Sequence, residues 1–160
     1  MAPSKAFGAA IACACALAVL APAEAAAETV DLGGTADIDL VDIENGTDVE
    51  IDQEWTISDL RPSADAIPYR PAGSLWEATG TVELADGGIP VIPGFFARSD
   101  SDSYPVLWNV ASPLAVDPSA LPPAGSATGK LYFDVTGTAP TGVAFLDVEG
   151  ELIEWRTPSG

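Results

Sequence analysis

The sequence contains no histidine, and only six of its 160 residues are basic. Without histidine, the chain cannot form a Ser-His-Asp or Cys-His catalytic centre or a histidine-ligated zinc or iron site. Its 24 acidic residues give a net charge of −18, so the chain lacks the basic surface that nucleic acids and anionic membranes require. We therefore expect no nucleic-acid partner.

An apolar run near the N-terminus predicts export. Residues 6–20 are almost all apolar, a lysine precedes them, and the small residues of an A-x-A cleavage site follow them. We predict a secretory signal peptide over residues 1–27, cleaved after Ala27, with cleavage after Ala25 as the close alternative. A retained signal anchor is a further alternative, although the run is shorter than the roughly 20 residues of a membrane span. The protein is expected to be secreted and extracellular, with no membrane partner after cleavage.

Both cysteines, Cys13 and Cys15, lie within this apolar run and would leave with the signal peptide. Residues 28–160 would then form one domain without disulfides or thiol chemistry, which is unusual for a small secreted domain. The apolar core must therefore stabilise the fold without covalent cross-links.

Glycine and proline are frequent, and short alternating segments lie between them. The chain has 15 glycines and 14 prolines, spread so widely that long helices are excluded. The longest stretch without either residue is 47–61, where apolar and polar residues largely alternate, as in a half-buried strand. Further segments with the features of short strands are 37–40, 76–84, 95–98, 104–110, 131–135, 143–147 and 152–155.

Two turn signals support antiparallel pairing of these segments. Asn45–Gly46 is typical of a hairpin turn, and Glu149–Gly150 is typical of a tight turn. The sequence thus predicts an all-β fold, an Ig-like antiparallel two-sheet β-sandwich of about eight strands. A closed barrel is the alternative architecture.

Several segments resemble a known family. They are Trp55–Leu60, Trp76–Thr79, Phe96–Arg98, Val106–Trp108 and, most specifically, Thr128–Gly137. Over about residues 55–155 the chain resembles the small secreted mycobacterial immunogenic proteins, also called the immunoprotective extracellular protein family. The resemblance implies an Ig-like β-sandwich, export into the medium and antigenicity. It also implies binding to a host or cell-surface protein, and it transfers no catalytic residues.

We therefore predict a secreted, non-catalytic, antigenic interaction module, and we assign no catalytic, cofactor-binding or metal-binding residues. The alternative is a secreted hydrolase that uses a pair of carboxylates. A deep pocket lined by two close acids, one of them desolvated, would favour the hydrolase.

The N-terminal part of the domain is strongly acidic. Ten carboxylates and no cation lie between Glu28 and Glu54. The acids of Asp37–Gly46 superficially resemble calcium ligands, but their spacing is not that of an EF-hand loop. Alternation along a strand places many of the acids on one face, so we interpret the region as a solvated surface, with calcium binding as the alternative.

Four tryptophans occupy apolar positions in the predicted strands: Trp55, Trp76, Trp108 and Trp155. On a surface they would form a platform for sugar or peptide. In strands tryptophan more often fills the core, where each side chain buries about 150–250 Å². We therefore predict that these four residues pack inside the sandwich.

The predicted connection Arg61–Ala72 is the candidate contact for a partner. It is long for a compact sandwich, and loops of this length are often functional. It holds Arg61, Tyr69 and Arg70, and arginine and tyrosine are frequent anchors of interfaces. The alternative is structural: the arginines would pair with neighbouring acids, and the tyrosine would cover a sheet edge.

Overall fold

The computed structural model describes residues 28–44, 47–84, 94–110, 112–116, 125–146 and 152–158. The strands in these ranges are β1 (Glu28–Asp31), β2 (Thr35–Glu44), β3 (Thr47–Pro62), β4 (Ser74–Leu84), β5 (Phe95–Arg98), β6 (Ser103–Pro105), β7 (Ser126–Val135), β8 (Gly142–Leu146) and β9 (Leu152–Arg156). This described part of the chain has no helix of the length and apolarity needed to cross a membrane. The predicted signal peptide and the predicted turns at Asn45–Gly46 and Glu149–Gly150 lie outside the described residues.

The nine strands form two sheets. One has the order β1-β9-β8-β5-β6, and the other has the order β2-β3-β4-β7. All neighbouring strands are antiparallel except β1 and β9, which are parallel. The prediction of a two-sheet β-sandwich is confirmed, and the closed barrel is wrong because each sheet ends in its own edge strands. β1 was not predicted, because its four residues are too few to show a period.

The inner faces of the two sheets form one core. Apolar residues at alternate positions of β3 and β4, among them Trp55, Ile57 and Val82, are fully buried. Phe95 of β5 packs edge-on against Trp55, with ring centroids 4.7 Å apart, and thereby joins the two sheets. Phe95 also contacts the rings of Trp155 and two further aromatic residues of the core, at 6.0–6.4 Å.

The tryptophans pack inside the sandwich, as predicted. Trp55 and Trp155 are fully buried, whereas Trp76 and Trp108 are partly buried against the same core. The indole N–H of Trp155 donates to the carbonyl of Gly34 at 3.1 Å, so this buried polar group is satisfied. These side chains therefore stabilise the fold and leave no stacked platform for a ligand.

The predicted strand at 104–110 is wrong beyond its start, because β6 ends at Pro105. Val106 donates its N–H to the carbonyl of Phe95 in one sheet and forms a bridge with Phe133 in the other. The chain crosses between the two layers at this point, so it cannot continue as a strand of one sheet. Trp108 consequently lies in a turn.

β3 contains a bulge that changes which residues face outward. The register with β4 shifts by one residue between Ser58 and Arg61, and Asp59 adopts a φ of 55°. The extra residue turns Leu60 towards the core and Arg61 to the outer face, opposite Glu77. Since β3 runs to Pro62, the predicted boundary of the connection is wrong, and the connection comprises residues 63–73.

Candidate functional site

Charged side chains meet on the outer face of the four-stranded sheet, where residues 63–73 cross it. Arg61 of β3, Glu77 of β4 and Lys130 of β7 come from neighbouring strands, and Asp65 comes from the connection. We call these four residues the charge cluster. Strand register places Glu77 directly between Arg61 and Tyr132, and Lys130 lies two residue pairs further along, on the same face.

Lys130 bridges the two carboxylates of the cluster. Its Nζ lies 2.5 Å from Asp65 Oδ2 and 2.9 Å from Glu77 Oε2. The side chain of Glu77 is only 6% exposed, and it also accepts hydrogen bonds from Arg61 Nη2 at 3.0 Å and Ser63 Oγ at 2.5 Å. A buried carboxylate in this position is therefore fully paired, as the cost of burying a charge requires.

The pairing keeps the three central groups charged. Burial of Glu77 disfavours its ionised form, but the hydrogen bonds from Ser63, Lys130 and Arg61 outweigh it, and the pKa of Glu77 falls below 4.5. Hydrogen bonds from Lys130 and Tyr132 lower the pKa of Asp65 below 3.8. The same two carboxylates raise the pKa of Lys130 above 10.5. At neutral pH the cluster is a network of ion pairs.

This network does not fit the chemistry of the hydrolase hypothesis. Asp65 and Glu77 are close and one of them is buried, as that hypothesis requires. However, a general acid needs a raised pKa, and both of these carboxyl groups have lowered values. The two carboxylates also do not line the open cleft of about 260 Å³ that includes Glu83 and Ser126. That cleft lies at the other end of β4, roughly 20 Å along the strand from Glu77.

The predicted contact residue Tyr69 is held by the sheet. Its hydroxyl donates to Asp134 Oδ2 at 3.0 Å, and the backbone N–H groups of Ala72 and Gly73 donate to the same carboxylate. The bond to Asp134 raises the pKa of Tyr69 above 10.0. A Cβ at Gly73 would lie 2.0 Å from the carbonyl oxygen of Val135, so only glycine permits this approach.

The structure places the three predicted contact residues on one side of the molecule, in three different settings. Arg61 is paired with Glu77 but remains 58% exposed. Tyr69 is half-buried against Asp134. Arg70 is exposed, and it has no ion pair with another described residue. The connection is thus tied to the sheet by Asp65 near one end and by Tyr69 near the other.

Sequence reasoning missed the residues that hold the connection. Glu77 occupies an outward position in an alternating strand, where a solvated side chain is the normal expectation. Lys130 offered a signal, because it is a rare cation inside a predicted strand of a very acidic chain. Asp65 and Asp134 offered none, since their partners are 65 and 62 positions away in the sequence.

The acidic N-terminal region lies on β2 and β3. Asp37 is opposite Glu54 and Asp39 is opposite Asp52, with Asp37, Asp52 and Glu54 exposed. This arrangement matches the solvated face that the alternation predicts. Within the described residues, no group of three or more acids, cysteines or histidines is arranged to hold a metal ion. The side chains of Asp39 and of the acids from Asp42 to Glu50 are not among those that the structure describes, so calcium binding there stays a prediction.

Comparisons with known proteins agree with the fold and with the motifs. A family described as a domain of unknown function, DUF1942, matches residues 29–155. Over 105 residues, the chain is 42% identical to immunogenic protein MPT63 of Mycobacterium tuberculosis and to immunogenic protein MPB63 of Mycobacterium bovis. The matched region covers 64% of this chain and 66% of each relative.

The crystal structure of MPT63, described as a secreted protein from Mycobacterium tuberculosis, has the same architecture. It aligns with a TM-score of 0.65 and 36% identity, covering 82% of this chain and 98% of that structure. The resemblance that the sequence motifs indicated is confirmed: this chain belongs to the DUF1942 family and is a relative of the mycobacterial immunogenic proteins.

Proposed function

We propose that this chain is a secreted, antigenic protein that binds a host or cell-surface protein and catalyses no reaction. The observation that carries the proposal is the match to MPT63. The chain is 36% identical to that secreted protein over 98% of its solved structure, and the curated relatives are named immunogenic proteins. Shared sequence over a whole domain supports a shared mode of action.

The charge cluster supports a role without catalysis. Its carboxylates stabilise a surface connection, and they are paired with Lys130 and Arg61. A site of this kind holds a loop in one conformation and provides no protonated carboxyl group near neutral pH. Turnover of a glycoside or other substrate that disappears in the Glu77→Gln variant would contradict this part of the proposal.

We propose the connection 63–73, with Arg61, Tyr69 and Arg70, as the partner contact. Because the sheet already fixes both ends of the connection, little conformational entropy is lost when a partner binds. Arg70 has an exposed guanidinium available for a carboxylate or an aromatic ring of the partner. Arg61 and Tyr69 mainly position the connection through Glu77 and Asp134.

The test is capture of a partner by the secreted protein. The protein is purified from the medium, immobilised and exposed to host extracellular material, and retained proteins are identified by mass spectrometry. Arg70→Ala should weaken capture of a specific partner with an unchanged melting curve, and Arg61→Ala and Tyr69→Ala should weaken it as well. Arg98→Ala, which removes a cation from the other sheet, is the matched control and should have no effect.

The same preparation tests export. Mass spectrometry should find an N-terminus between Glu24 and Glu28, as cleavage of the predicted signal peptide requires. An N-terminus at Met1 would contradict cleavage. Equal capture by the wild type and the Arg70→Ala variant would place the binding surface elsewhere on the molecule.

A further inference from the structure

The two sheets have four edge strands, and these edges differ in how well they are protected. Exposed edges carry unpaired backbone N–H and C=O groups, and proteins normally shorten them, cover them or break them with proline. β1 has four residues, and β6 has three, including Pro105. These two edges are too short to pair with much of another chain.

The β7 edge is covered by the chain itself. Leu107 donates its N–H to the carbonyl of Tyr132 at 2.8 Å. Lys130 donates to the carbonyl of Leu114 at 2.7 Å and accepts from Val116 at 3.1 Å. The segment 106–116 therefore occupies hydrogen-bonding groups that an incoming strand would need.

β2 is the exception. It has ten residues, all of them in register with β3 from Thr35 to Glu44, and no described strand pairs with its other side. An extended segment of this length provides several backbone hydrogen bonds to an incoming strand, which is the basis of peptide recognition by strand addition.

The side chains beside this edge specify the chemistry of a partner. On the outer face Asp37 lies next to Glu54, and Glu54 lies next to Glu83, so exposed carboxylates stand side by side across three strands. On the inner face Ala36 and Ile38 are buried. A second copy of the chain would place its own acids against these and be repelled, whereas lysine or arginine at the same positions would be attracted.

We propose that β2 accepts an extended peptide segment of a partner as an added strand. Beside residues 35–40 of β2, the segment carries lysine or arginine on the face of Asp37 and apolar residues between them, on the face of Ile38. The pattern is limited to these residues because acidic and apolar residues exchange register positions from Val41 onward. Alternation follows from the pleat of a strand, which sends successive side chains to opposite faces. The proposal rests on the proposed function, to which it adds a second contact surface, separate from the connection 63–73, and the class of partner that this surface fits.

The experiment uses the secreted protein and defined peptides. The probe is a six-residue peptide of alternating lysine and valine, the length of residues 35–40, and a peptide of the same composition with its lysines in one block is the first control. An alternating glutamate and valine peptide is the second control. Binding is measured by fluorescence anisotropy, and amide hydrogen exchange locates the peptide on the protein.

The alternating lysine peptide should bind saturably and slow the exchange of amides in β2, and neither control should do so. Asp37→Lys should weaken this binding about tenfold, because one cross-strand attraction becomes a repulsion. Asp100→Lys, the same charge change beside β5, should alter it by less than about twofold, since screening limits distant charges.

Equal binding by the block peptide would overturn the proposal, because charge alone would then explain it. Exchange protection outside β2, the absence of saturable binding, or dimerisation of the chain through β2 would overturn it as well. Partner capture is then repeated with the Asp37→Lys variant. If the variant no longer binds the peptide but still captures the partner, strand addition is refuted and the proposed function stands. If the wild type captures no partner at all, the proposed function itself is refuted.

Discussion

Lys130 Nζ lies 2.9 Å from Glu77 Oε2, although the two residues are 53 positions apart in the chain. Glu77 is on β4 and Lys130 is on the adjacent β7, two residues before Tyr132, which lies directly opposite Glu77. Their contact spans the sheet diagonally and leaves Lys130 able to reach Asp65 of the connection above. The pair thereby fastens the connection 63–73 to the outer face of the sheet.

Glu77→Gln should destabilise the protein by about 1–3 kcal/mol, because it removes a buried acceptor that two cations and Ser63 share. Urea unfolding at pH 7 measures this loss. Glu83→Gln is the matched control, since Glu83 is exposed on the same face of the same strand, and its effect should stay within about 0.5 kcal/mol. Equal effects of the two substitutions would show that the cluster contributes nothing to stability.

The stability of the connection should depend on pH at both extremes. Asp65 and Asp134 have pKa values below 3.8 in the folded protein, so the stability they provide is present above their unfolded pKa and is lost as pH falls through the lowered value. Tyr69 has a pKa raised above 10.0, so its contribution is present below that pH and is lost as pH rises through the raised value.

This dependence is measured as a difference between variants, because protonation of the many other acids also relieves repulsion in a chain of net charge −18. The stability difference between the wild type and Asp134→Asn should be largest between about pH 5 and 9 and should shrink below about pH 4. A difference that stays constant down to pH 2.5 would contradict the role assigned to Asp134.

Gly129→Ala should loosen the cover of the β7 edge. A Cβ at Gly129 would lie 2.3 Å from the backbone nitrogen of Val116, so the segment 112–116 would have to move, at a cost of about 1–3 kcal/mol. Gly94→Ala is the control, because a Cβ there has no neighbour within 4 Å. Faster exchange of the Val116 amide in Gly129→Ala alone would confirm the contact, and equal stability of the two variants would contradict it.

Trp55→Ala should cost about 3–5 kcal/mol, because this fully buried ring packs against Phe95 between the two sheets. Leu114→Ala changes a side chain that is 51% exposed and should cost far less. Thermal unfolding of both variants provides the comparison. A melting temperature of Trp55→Ala close to that of the wild type would mean that the aromatic contact does not join the sheets.

The sequence by itself determined the class of fold and most of its strands. Alternation at 47–61 and 76–84 predicted β3 and β4 because a strand that covers a core must be apolar at every second residue. Composition excluded histidine-based catalysis, and the motifs indicated the family. Alternation and motifs are properties of short segments, and composition is a sum over residues, so none of them depends on contacts between distant parts of the chain.

Only the tertiary structure decided where polar side chains meet. The bulge at Asp59 moved Arg61 to the outer face, and pairing of β4 with β7 placed Lys130 beside Glu77. The order of strands in the sheets left β2 as the long open edge among the described strands. Neither strand order nor a one-residue shift of register leaves a periodic signal in the chain, because both depend on contacts between segments far apart in sequence.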